Sequence, residues 1–470
     1  CTKPTTVRLR TSVHRAFTGF PLSVPENHRR LLVSRQRQLP IRVGALFAMF
    51  TLSVIVPSAI FLLEPPSVSY RHPAIDYAAA TRTDPVTKLD MKLRAGHETL
   101  AFEPGSGYLR ALLHALHIPV ESQTLVFSKT SLQSSLINPT NPRAIYFTDD
   151  VAVAWIQGSP AIELAAHDPR QGVMFYVLNQ QPTFRGFQRP RSCLECHVSN
   201  ETKGVPGLAV GSTIIDQNGE PYVSIPIDQR TPIESRWGGW YVTGKTGLGR
   251  HLGNAVATDP NEPRLHHNDA NFNLRTLDAR LETKSLITPY SDVAALMVLE
   301  HQAHITNLLT LTGWKFRVAN YLRSANEGLW TSPTERLSHL ALSEMVEELV
   351  DYMLFINEAP LTDHIKGTAG FEEKFEASGP FDRRGRSLRE ISLESRLFRY
   401  PCSYMIYTAA FDALPTEAKN AAYLRLWQVL SGTNRDTKYA RLSRDDRIAV
   451  IEILRDTKVE LPDYFYEAAR

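Results

Sequence analysis

The chain of 470 residues is poor in cysteine and has only Cys1, Cys193, Cys196 and Cys402. This scarcity excludes the disulfide framework that holds small secreted domains together. A zinc site built from two cysteine pairs is not indicated, because only one pair is closely spaced. Cys402 stands alone and is predicted to be a buried, unpaired thiol.

The sequence also lacks a long basic patch after residue 42. The whole chain carries a formal net charge of +3 and residues 1–42 carry +8, so the remainder carries −5. A weakly acidic remainder makes nucleic acid an implausible partner. Internal repeats and low-complexity tracts are absent as well, and the remaining length is sufficient for two domains with substantial cores.

One long apolar run is present. Residues 43–63 contain 21 residues without a charge, and a helix of this length spans about 32 Å, enough for a hydrocarbon core. The basic segment 1–42, cytoplasmic or untranslated, predicts that the rest of the chain lies outside the bacterial inner membrane, in the periplasm. We expect an uncleaved anchor. The alternative is a cleaved signal, weakly supported at Pro57–Ala59, which would make the protein periplasmic or secreted.

The most specific feature is the run Cys193-Leu194-Glu195-Cys196-His197, which reads C-x-x-C-H, the attachment motif of c-type haem. Two thiols at this spacing can each add to a vinyl group of one porphyrin, and His197 is then an axial ligand of the iron. Composition alone predicts about 0.001 such motifs per chain of this kind. A thioredoxin-like site would follow an apolar strand, whereas Arg189–Ser192 precede this motif.

The ligand on the other side of the iron decides the chemistry. A Met or His there gives a six-coordinate electron carrier, and an open position gives ligand binding or peroxide chemistry. The candidates are His251, His266, His267, His301, His304, Met297 and Met405. We expect His301, because it shares a predicted helix face with His304 and Met297. The alternative for each candidate is a hydrogen-bonded or exposed side chain.

Three arginines close to the motif are candidates for pairing with the haem propionates: Arg185, Arg189 and Arg191. The alternative is that they are solvated side chains of a loop.

The exported part is predicted to have an α+β fold, with a linker over 65–95, an antiparallel β-rich haem domain over 96–280 and an all-α domain over 281–470. Short apolar runs separated by turn residues predict the strands, and one hairpin turns at Asn218-Gly219. The predicted strands cover 124–127, 144–147, 151–156, 161–166, 172–178, 208–215, 222–227 and 237–242. Helical spacing predicts helices over 108–116, 291–312, 332–355, 388–397, 403–412, 416–430 and 445–457.

Residues Gly239–Thr246 match the phosphate-loop expression G-x-x-x-x-G-K-[ST]. A phosphate loop follows a buried strand and opens a helix, but here the strand-like residues Trp240–Val242 lie inside the match. Gly247–Arg250 are a poor start for a helix. We therefore predict an aromatic strand that ends in a glycine turn, and no bound nucleotide.

The haem region resembles a group of bacterial cytochrome c domain-containing proteins whose activity is uncharacterised, and the resemblance covers roughly residues 80–470. Besides the haem motif, the matching segments are Val205–Gly207, Arg236–Gly244, Arg250–Asn254, Ala295–Gln302 and Arg399–Tyr404. The resemblance implies an exported single-haem cytochrome with a helical C-terminal part. It implies no particular reaction.

The sequence therefore predicts a membrane-tethered c-type cytochrome that carries one covalent haem and passes single electrons to a redox partner protein. Two alternatives stay open. The first is a haem enzyme of the oxidoreductase or peroxidase type, since the exported part is larger than a minimal haem carrier. The second is a haem-based sensor or binding module.

Overall fold

A computed structural model describes residues 68–258, 268–325 and 332–467 of the chain. The predicted membrane segment 43–63 and two candidate ligands, His266 and His267, lie outside these residues. Within the described ranges, no helix combines the length and apolar character that a membrane crossing requires. The described residues belong to one compact unit.

The strands lie close to their predicted positions. They are β1 (Thr124–Val126), β2 (Arg143–Phe147), β3 (Val151–Trp155), β4 (Ala161–Asp168), β5 (Gly172–Asn179), β6 (Val210–Ile215), β7 (Pro221–Ile227) and β8 (Trp240–Tyr241). Six of them form an antiparallel sheet in the order β5-β4-β3-β2-β1-β8, and β6 pairs with β7 as a separate hairpin. The predicted antiparallel β-rich part of an α+β fold is confirmed.

The helices follow the predicted change of pattern along the chain. They are α1 (Pro85–Arg94), α2 (Leu109–Ala115), α3 (Cys193–His197), α4 (Val293–Ala325), α5 (Ser332–Met353), α6 (Phe371–Glu376), α7 (Ala409–Asp412), α8 (Thr416–Leu430) and α9 (Arg444–Thr457). Helix α1 lies inside the predicted linker. Asp84 caps it by accepting a hydrogen bond from the Thr87 amide, and Pro85 occupies its first position.

The two faces of the large sheet are covered by different parts of the chain. One face carries Tyr146, Val153 and Trp155, and packs against apolar side chains of α1 and α2. On the other face Phe147 and Val126 belong to a second apolar cluster, which includes much of α4 and the C-terminal helices. The boundary predicted at residue 280 therefore does not separate two hydrophobic cores.

Two predicted helices differ in the structure. Residues 388–397 form no helix, because their polar groups bond to distant parts of the chain. Arg389 donates to the Gly379 carbonyl and to Asp149, and the Leu393 carbonyl accepts from Ile365. Residues 403–412 contain a 3₁₀ turn and the one-turn helix α7 instead of one continuous helix.

Candidate haem-attachment site

The haem motif lies beside the outer edge of the sheet. After β5 the chain turns back, and Gln188 and Val177 exchange two backbone hydrogen bonds of 2.9 Å. The motif follows as the short helix α3, in which Cys193 is half-buried and Cys196 is exposed. Both thiols are free. Residues three apart on a helix lie on one side of it, so the two thiols can reach one porphyrin.

The His197 ring has a fixed orientation. Its Nδ1 donates to the Gly207 carbonyl at 2.9 Å, and the Gly207 amide donates back to the His197 carbonyl at 3.0 Å. The imidazole also stacks on Phe175 of β5, with ring centroids 4.2 Å apart and planes 29° apart. Because a carbonyl only accepts hydrogen bonds, Nδ1 carries the proton and Nε2 keeps its lone pair.

This arrangement is the one expected of a histidine that binds a metal through Nε2. Such histidines almost always donate their other N–H to a carbonyl or carboxylate, which sets the tautomer and the direction of the ring. Burial lowers the pKa of His197, so the ring is neutral near pH 7, as a ligand must be. The residues of the motif therefore fit covalent haem.

Asn307 of α4 fixes the loop that carries Gly207. Its side-chain oxygen accepts from the Leu208 amide at 3.1 Å, and its side-chain nitrogen donates to the Leu208 carbonyl at 2.7 Å. A Cβ added at Gly207 would lie 2.0 Å from Asn307 Oδ1. The position therefore requires glycine, because the Asn307 side chain is fixed by two hydrogen bonds to the Leu208 backbone and has little freedom to move away.

Gly207→Ala is expected to lower the free energy of unfolding by about 1–3 kcal/mol, because the added methyl group must displace Asn307. Urea denaturation measures this change. The control is Gly313→Ala on α4, the helix that carries Asn307. There the new Cβ would meet Leu414 at an ordinary 3.5 Å, and alanine favours the helix. Equal stability of the two variants would contradict the tight fit at Gly207.

The structure gives His301 another role than that of second iron ligand. Its Nδ1 lies 2.5 Å from Gln229 Oε1 and its Nε2 lies 2.7 Å from Ser403 Oγ. The ring is fully buried and stacks on Phe355 at 4.7 Å. Both nitrogens are thus occupied, and no ring nitrogen of His301 is open to iron in this arrangement.

The other described candidates also have partners within the fold. His304 Nδ1 lies 3.5 Å from Asp228 Oδ2, and its Nε2 lies 3.2 Å from Arg230 Nη2. His251 is buried between Trp237 and Phe272, and its Nδ1 accepts from the Gly253 amide. Met297 and Met405 are buried in the second apolar cluster.

The arginines near the motif differ in their surroundings. Arg189 donates from Nη2 to Met174 Sδ at 3.2 Å, and its guanidinium lies over the Tyr77 ring. Arg189 therefore has partners on the sheet and on Tyr77. Pairing of Arg185 and Arg191 with propionates stays a prediction.

Two further interpretations concern the cysteines and the phosphate-loop match. Cys402 is a free, fully buried thiol, as predicted, and burial raises its pKa to about 12. Within Gly239–Thr246 the structure has strand β8, followed by isolated bridges of Thr243 to Asp292 and of Lys245 to Lys366, and no described helix begins there. In the described ranges no three His, Cys, Asp or Glu side chains are grouped so that they could hold a metal ion.

Sequence reasoning did not find three residues that position the site: Phe175, Gly207 and Asn307. Gly207 entered only as part of a matching segment. Asn307 is one of several polar residues on α4, and nothing in the sequence distinguishes it from the others. Comparisons with family models, with curated proteins and with solved structures gave no match. The interpretation of this site therefore depends on its own residues and their geometry.

Proposed function

We propose that the chain carries one haem, attached through Cys193 and Cys196 and bound at the iron by His197. We further propose that it is a membrane-tethered, extracytoplasmic cytochrome that exchanges single electrons with a redox partner protein. The observation that carries this proposal is the hydrogen bond from His197 Nδ1 to the Gly207 carbonyl. It fixes the tautomer in which Nε2 keeps its lone pair, on a histidine directly after two free thiols.

A haem at this site would supply one-electron redox chemistry, and the residues of the chain would orient and tune it. By accepting from Nδ1, the Gly207 carbonyl would make the imidazole a more electron-rich ligand, which would favour the ferric state of a bound haem. Phe175 restricts rotation of the ring. Because Cys196 is exposed, the porphyrin edge bonded there would lie near the protein surface, where a partner can approach.

One observation favours a haem enzyme as the second candidate. His301, the expected second ligand, has both ring nitrogens hydrogen-bonded inside the core, and His304 has charged partners at both. If no other residue takes the sixth position, the iron can bind a small ligand or peroxide there. No comparable observation favours a sensor.

The experiment is to export the full chain from a bacterium that attaches haem c and to record its mass and spectrum. We expect a mass increase of one haem that survives acid acetone, and a sharp α-band on reduction. A spectrum unchanged by carbon monoxide and cyanide supports the electron carrier, whereas tight binding of either supports the enzyme. A chain without covalent haem contradicts both.

A further inference from the structure

One half of the large sheet has an incompletely covered face. The cross-strand register places Val177, Glu163, Ala154 and Ile145 in one row on this face, and Ala165 and Ala152 in the next. All six are half-buried, whereas Ile162, Leu164, Val153 and Tyr146 on the opposite face are fully buried. Three of the six are alanines, and Ile145 and Ala152 also pack against the second apolar cluster at the edge of this face. We call this half-buried, mainly apolar surface the bed.

His197 stands at the border of this bed. Its ring stacks on Phe175, and Phe175 is directly opposite Ala165 and therefore on the same face. Helix α4 occupies the other end of the face, where Gln302 donates to the Thr148 carbonyl. The bed thus extends from the imidazole across the sheet, away from α4.

The bed contains one ion pair. Arg143 of β2 reaches over Ala154 to Glu163 of β4, with Nη1 and Oε2 3.4 Å apart. Both charges act on His197, since Arg143 lowers its pKa and Glu163 raises it. They therefore lie within electrostatic reach of the iron ligand.

The ion pair leaves Arg143 incompletely satisfied. Its Nε is buried and has no hydrogen-bond partner within the described residues. Burial lowers the pKa of Arg143 in spite of the opposing effect of Glu163. A half-buried guanidinium with an unused donor is suited to a second carboxylate.

We propose that the porphyrin lies on the bed formed by Ala154, Ala165, Ile145 and Val177, and that Arg143 binds one haem propionate there. This inference rests on the proposed function. It assigns the propionate to a strand residue 50 positions before the motif, and not to the arginines that flank the motif. Small side chains admit a flat ring, and Arg143 supplies the counter-charge for its acidic edge.

The test is the midpoint potential of the full-length holoprotein, measured by optical redox titration. Arg143→Gln removes a positive charge near the iron and should lower the potential, whereas Glu163→Gln should raise it. The potential of the double variant should be close to the wild-type value. Arg143→Lys keeps the positive charge, so its potential should also stay near that value. In Arg143→Gln the pH-dependent change of the potential should also move to higher pH, because the propionate loses its cation.

Arg110→Gln is the matched control, because Arg110 also pairs with a glutamate, Glu103, but lies on α2 behind the opposite face. Opposite shifts for Arg143→Gln and Glu163→Gln cannot arise from a loss of packing alone. If haem is attached and the potentials of both variants match that of the control, the porphyrin does not lie on the bed, and the proposed function is unaffected. If the wild-type chain carries no haem, the proposed function itself fails.

Discussion

Replacing Cys193 and Cys196 together by serine is expected to abolish covalent attachment of haem. Serine hydroxyls do not add to vinyl groups, and α3 offers no other thiol. Each single variant should keep one thioether bond and therefore some haem. The measurement is the mass of the exported chain together with the haem retained after acid acetone extraction.

Cys402→Ala is the control for this experiment. Cys402 is buried in the second apolar cluster, so its loss should cost some stability and leave attachment intact. Full haem attachment in the double serine variant would mean that the motif is not the site. The proposed function would then lose its basis.

Arg236→Met is expected to lower the free energy of unfolding by about 3–5 kcal/mol, because it leaves a buried carboxylate without its cation. Arg236 Nη1 lies 2.9 Å from Glu300 Oε2 on α4, and Trp237 Nε1 donates to the other oxygen. Arg236 is 2% exposed and Glu300 is fully buried. Urea denaturation measures the loss.

The control is Arg383→Met, which breaks a pair with Asp456 that is largely exposed on the arginine side. Exposed pairs contribute about 0–1 kcal/mol, so this variant should unfold nearly as the wild type does. Similar stabilities for Arg236→Met and Arg383→Met would contradict the importance of the buried pair.

The same pair predicts a pH dependence. Burial raises the pKa of Glu300 to about 7, although Arg236 and Trp237 oppose the change. The folded chain therefore favours the protonated carboxyl, so this group's contribution to stability is present at acidic pH and is lost as the pH rises towards 7 and above. We expect Arg236→Met to be more destabilising at pH 8 than at pH 5. When Glu300→Gln is also present, the loss of stability caused by Arg236→Met should be the same at both pH values.

The sequence predicted the meander because its strands have strong local signals. In β3 and in the first six residues of β4, the side chains alternate between the buried and half-buried classes. Helix α8 has the predicted limits, Thr416–Leu430, because turn residues flank a clear helical period. Asp84-Pro85, a usual helix start, was available as a signal for α1 and was not used.

The errors occur where long-range contacts decide the conformation. Residues 388–397 have apolar spacing typical of a helix, yet the ion pair of Arg389 with Asp149 and the backbone bond between Leu393 and Ile365 hold them in an irregular path. Partners more than 25 residues away cannot be identified from local spacing.

The candidate site divides in the same way. Its thiols and His197 could be found from the sequence, because the chemistry demands a fixed spacing. His301 was a reasonable candidate by helical position, but Gln229 and Ser403 occupy its nitrogens. Asn307 and Arg143 could not be found from the sequence. Asn307 contacts Leu208, 99 positions away, and Arg143 contacts Glu163, 20 positions away, and only the fold creates these contacts.

The contact between Asn307 and Leu208 has a further consequence for any attempt to shorten the protein. A polypeptide ended at residue 280 would keep every residue of the C-x-x-C-H motif but would lose the helix that braces the peptide bond next to Gly207. The Gly207 carbonyl, which accepts from His197 Nδ1, would then lose its support. If the chain binds haem as proposed, a fragment made to study that site must therefore include α4, because the C-terminal half fixes the orientation of His197.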